Sequence, residues 1–108
     1  SIALRDVRRN VMTTISEAEF ARICSGIRAD RESIIKHNPL GPDSDILLWM
    51  LLSCLISYLN LSELETPCFN GKPDADTYRN AIRFVLSERR TEPFEIDKYL
   101  NELINADS

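Results

Sequence analysis

His37 is the only histidine in the chain, so the composition rules out any chemistry that needs two imidazoles. It stands beside Asn38-Pro39 at the end of a helical pattern. A cationic ring complements a helix C-terminus there, and capping is its expected role. The three cysteines, Cys24, Cys54 and Cys68, contain no Cys-x-x-Cys pair. Their spacing is neither that of a zinc site nor that of a dithiol redox motif. Cys24 and Cys54 fall within apolar patterns and read as small reduced core residues, which suits a cytoplasmic protein. A Cys-His nucleophile built from Cys24 or Cys68 with His37 has no local signature to support it. Asp43 with Asp45, Glu63 with Glu65 and Asp74 with Asp76 are i, i+2 pairs at helix starts or in a loop. N-capping and the helix dipole account for all of them. The three glycines, at 26, 41 and 71, each stand alone, so no loop of the kind that cradles phosphate is present. Catalytic residues, metal ligands and cofactors are therefore not expected, and the chain reads as non-enzymatic.

Two patterns point to binding instead. Glu17 to Asn38 has an apolar-faced helix, a glycine and a second helical stretch with Arg28, Arg31 and Lys36, which is the order of a helix-turn-helix. With Arg22, these cations would contact phosphates, although Asp30 and Glu32 stand among them. The second pattern is aromatic. Trp49 lies on the polar stripe of an otherwise apolar segment, and Phe69 follows Cys68 in a turn-rich loop. Large apolar groups of this kind serve as anchors at protein interfaces.

The segments that must hold these residues are helical. Ile46 to Leu59 carries no charge. At about 14 residues it is ~21 Å long as a helix, against roughly 30 Å of hydrocarbon in a bilayer. Acids flank it on both sides (Asp43, Asp45, Glu63, Glu65), where a spanning helix usually carries Lys or Arg on one side. It therefore reads as the buried central helix of a bundle, over about residues 45–61. Trp49, Ser53, Ser57 and Asn60 line one stripe of it, facing either a neighbouring backbone or water.

Around this segment, Leu4, Val7, Val11 and Ile15 mark an amphipathic helix over 1–15. Ser16-Glu17-Ala18-Glu19 is a capping box that starts another helix at 17. Gly26 either sits inside that helix or ends it, and Asn38-Pro39-Leu40-Gly41-Pro42 stops the region. Asn70-Gly71 marks a turn, and Asp74 or Asp76 caps a helix with Tyr78, Ile82, Val85 and Leu86 inward and Arg89-Arg90 in its last turn. Thr91-Glu92-Pro93 begins a final helix facing inward through Ile96, Leu100, Leu103 and Ile104.

The expectation is all-α: a single domain over 1–108, a compact bundle of four to five helices around an apolar centre. Hydrophobic content of 44% with 28% charge fits a globular chain. Residues 1–38 carry seven Lys or Arg against five acids, and the remainder carries six against twelve, so an acidic C-terminal part faces solvent or a basic partner. No secretion leader is visible. The expected function is that of a helical protein–protein interaction or regulatory module, with self-association the simplest way to cover exposed apolar surface. Nucleic-acid binding through residues 17–38 is the alternative. No membrane contact and no small-molecule substrate are expected.

Overall fold

The computed structural model describes residues 13–37, 43–61 and 74–105. Within them are five helices: α1 (Glu17–Ala29), α2 (Arg31–Lys36), α3 (Asp43–Leu59), α4 (Ala75–Leu86) and α5 (Ile96–Ile104). The all-α expectation holds. Strands are absent among the described residues, and the extended pairing is a single parallel bridge between Ile15 and Arg90.

Helix α3 is the axis, packing against each of the other four helices, while α1 also touches α2 and α5. Leu47, Leu48, Leu51, Leu55 and Leu59 are fully buried along it. Phe20, Cys24 and Ile27 of α1, Ile82, Val85 and Leu86 of α4, and Leu100 and Leu103 of α5 close over that row to form one core. Burying a leucine, isoleucine or phenylalanine contributes roughly 1.5–3 kcal/mol each, so the apolar run stabilises the bundle from inside. No helix of the described residues is long and apolar enough to cross a membrane.

The capping chemistry forms as the residues dictate. Ser16 Oγ accepts from the Glu19 amide at 3.2 Å, and Ser16 N donates to Glu19 Oε1 at 3.1 Å. Asp74 caps α4 by accepting from the Thr77 amide at 2.9 Å. Asn60, expected as the last member of the helical stripe, instead ends α3: its φ is 54, Leu61 N donates to Ile56 O, and Asn60 N donates to Ser57 O. This is the left-handed C-terminal motif that asparagine tolerates better than most side chains.

Other boundaries also differ from expectation, the central helix starting at Asp43 rather than near 45. The helix expected over 1–15 does not include 13–15, and residues 1–12 lie outside the described set. Ile15 is fully buried and its backbone pairs with the segment after α4, receiving Thr91 N and donating to Arg89 O at 2.7 Å. That same pairing removes Arg89 and Arg90 from the last turn of α4, which stops at Leu86. Arg89 reaches the Thr13 carbonyl, and Arg90 reaches the Phe94 carbonyl while lying over the Phe94 ring. The last helix begins at Ile96 rather than near Thr91, because Thr91 is held by Ile15 and the Glu92 carboxylate accepts from Glu17 N at the start of α1. Thr91 Oγ1 also donates to Glu92.

Candidate functional site

Gly26 lies inside α1, which runs on to Ala29, and the break falls at Asp30. Helix α2 therefore follows α1 after a single residue and has 6 residues. The helix-turn-helix layout with a turn at Gly26 is not formed. A helix of that length, about 9 Å, is too short to lay several side chains along a DNA groove. Of the cations expected to act together, Arg22 and Arg28 are exposed on α1, Arg31 is half-buried on α2, and Lys36 is exposed in its last turn.

His37 caps α2 as expected. Its Nδ1 lies 2.8 Å from the Ser33 carbonyl oxygen, which accepts from an Nδ1–H. The Asp74 carboxyl is held below the usual range by the backbone and hydroxyl of Thr77, consistent with a capping role. Asp43, Glu63, Glu65, Cys68 and Phe69 lie in positions whose side chains are outside the described set. Among the described residues no group of three or more His, Cys, Asp or Glu side chains could hold a metal ion. Cys24 is buried, and burial, with Glu102 and Cys54 nearby, pushes its thiol up to about 12. Burial also raises the Cys54 thiol. Both are kept as neutral thiols at physiological pH, which leaves them poor nucleophiles.

What the structure builds is a groove. It has a volume of about 750 Å³ and lies between α1, α2 and α3. Its apolar surface comes from Ile23 and Ile27 of α1, Ile34 of α2, and Met50 and Cys54 of α3. Ser53 and Ser57 form a polar strip along the α3 wall. On the α1 wall, Arg22, Gly26 and Asp30 follow one another at intervals of one turn. A Cβ built on Gly26 meets nothing within 4 Å, so the groove wall is open at that position. Along the α3 stripe Trp49 is 44% exposed, Ser57 and Asn60 are exposed and Ser53 is half-buried, so the stripe faces water for most of its length; Tyr58, beside it on the groove lining, is 38% exposed.

The exposure of Trp49 was legible from its place on the polar stripe. The groove itself was not, because it depends on how α1, α2 and α3 converge. A second apolar surface also escaped sequence reasoning: Phe84 on α4 is 63% exposed beside a smaller hollow of about 290 Å³ with Leu61 and Arg89. Its signal was present, since position 84 falls off the stripe made by Ile82, Val85 and Leu86. No family model, no curated protein and no solved structure matches the chain.

Proposed function

We propose that the protein is a non-enzymatic binding module that takes an amphipathic helix into the groove between α1, α2 and α3. The observation that carries this reading is an apolar trough walled by helices and open to solvent, with exposed Tyr58 on its lining and Trp49 one turn from Ser53. A helix laid there buries its apolar face against Ile23, Ile27 and Met50 and keeps its polar face in water, the common helix-in-groove mode. The aromatic side chains at the margin supply large contact area at low entropic cost. Nucleic-acid binding through Arg22, Arg28, Arg31 and Lys36 finds less support, because the second helix has only 6 residues.

Trp49 is the only tryptophan and stands one turn before Ser53 of the groove wall, so its emission reports on a helix laid past that end of the groove. Titration with a designed amphipathic peptide of Leu, Ala, Glu and Lys, at submicromolar protein, is expected to shift that emission to shorter wavelength and saturate. Gly26→Gln, which fills the middle of the groove, is expected to abolish the change. No saturable response, or an equal response in the variant, contradicts the reading.

A further inference from the structure

The groove has a polarity that its apolar floor conceals. Among the described residues that line it, Arg22 and Asp30 are the only charged ones, and both are exposed on the α1 wall. They stand eight residues apart, about 12 Å along the helix axis, with Ile23 and Ile27 between them and the hydroxyls of Ser53 and Ser57 on the α3 wall. Midway between them Gly26 adds no side chain, and a Cβ there would meet open space. One end of the trough is therefore positive and the other negative, with a neutral apolar stretch in the middle.

Neither charge is engaged within the described residues. The ion pairs found there, Arg79 and Arg83 with Asp97, join α4 to α5. Glu19, one turn before Arg22, has its carboxylate held by the backbone and hydroxyl of Ser16 and is only weakly influenced by Arg22. Asp30 occupies the N-cap position of α2, where an aspartate ordinarily accepts from the amides of the first turn, yet its side chain makes no such bond. A helix that covers both residues with neutral side chains takes them out of water unpaired, which costs free energy. An acid over Arg22 and a base over Asp30 offset that cost, so the two charges select among apolar-faced helices.

From this arrangement we infer that the helix taken into the groove carries an acid and a base two turns apart at the edge of its apolar face, the acid over Arg22 and the base over Asp30. The order of the two charges in the partner's sequence then fixes its direction: acid first runs parallel to α1, and base first runs antiparallel. The inference rests on the groove being a helix-binding surface and names the chemistry of its occupant. Three designed helical peptides of about 18 residues test it, alike in Leu, Ala and Gln and differing only at two positions eight apart, which hold Lys then Glu, Glu then Lys, or Lys twice. Affinity is read from Trp49 emission, and direction from the broadening of backbone amides by a nitroxide on the peptide N-terminus. The two mixed-charge peptides are expected to bind alike, and the Lys-Lys peptide about fivefold more weakly. The nitroxide should broaden the Asp30 amide when Lys comes first and the Arg22 amide when Glu comes first. Arg22→Asp should make the Lys-Lys peptide the tightest of the three, and Arg22→Asp/Asp30→Arg should exchange the two broadening patterns. Equal affinity for all three peptides, or a direction indifferent to the order of the charges, overturns the inference and leaves the groove reading in place. Failure of every peptide to bind overturns both.

Discussion

Cys24 sits at 3% exposure in the core, whereas Cys54 is half-buried and lines the groove. In a Cys68→Ser background, a thiol reagent should label Cys54 first and reach Cys24 only as fast as the bundle opens. An occupied groove should slow labelling of Cys54 and leave Cys24 unchanged; equal rates at the two thiols would contradict the packing described. Titration follows the same local logic. Hydrogen bonds from the Ser16 backbone and hydroxyl lower the Glu19 pKa from its ordinary 4.5, so their stabilisation is present above that value and lost as pH falls below it. Ser16→Ala should cost about 1 kcal/mol at neutral pH and flatten the acid limb of a stability profile measured by urea unfolding. At the alkaline end the sign reverses. The hydrogen bond to Glu17 raises the Tyr99 phenol from 10.0 to about 12, so its contribution is intact below pH 10.0 and disappears as pH climbs towards 12. Tyr99→Phe should remove that part of the alkaline loss, and an unchanged alkaline limb would count against the Tyr99–Glu17 contact of 2.6 Å. Ser16, Glu19 and Asp74 were readable from sequence because a cap is a contact between residues three apart. Tyr99–Glu17 was not, because its partners are distant in the chain.

The helices were legible where their own residues decide them, and α1, α3 and α4 form on the expected apolar faces. Errors came where a distant segment claims the backbone, as when Ile15 takes up Arg89 and Thr91 and shifts the ends of α4 and α5. Gly26 was undecidable locally, since glycine is tolerated inside a helix and common just after one. Its location within α1 yields a prediction: Gly26→Ala adds a methyl that touches nothing and should raise helix stability by about 1 kcal/mol, read from urea unfolding at submicromolar protein. A destabilised variant would mean that α1 is broken at 26. The joint of α1 with α5 depends on Phe20, fully buried with ring centroids 5.4 Å from both Phe94 and Tyr99. Phe20→Ala should therefore cost about 3–5 kcal/mol, whereas the same change at exposed Phe84 should cost far less. Similar losses at both sites would contradict the assignment of core and surface.

At the scale of the molecule, the uncharged run was the clearest sequence signal, and it became a helix wrapped by the rest of the bundle. The groove proposed as the binding surface was harder to read, because it is the gap left where α1 and α2 fail to cover α3 completely. No single segment announces such a gap: Ile23, Met50 and Ser57 look like ordinary core or stripe residues until the elements meet. Trp49, a large apolar group on a polar stripe, gave a partial hint by pointing to the α3 face next to the groove, and the exposed Phe84 is a second uncovered aromatic away from it. The two surfaces lie on different helices, so a site-resolved experiment separates them. The most direct is a map of backbone amide shifts during titration with the designed Leu/Ala/Glu/Lys helix. Shifts concentrated at Ile23, Gly26, Ile34, Ser53 and Ser57 are the result predicted, and shifts centred instead on Leu61, Phe84 and Glu88 would contradict the account.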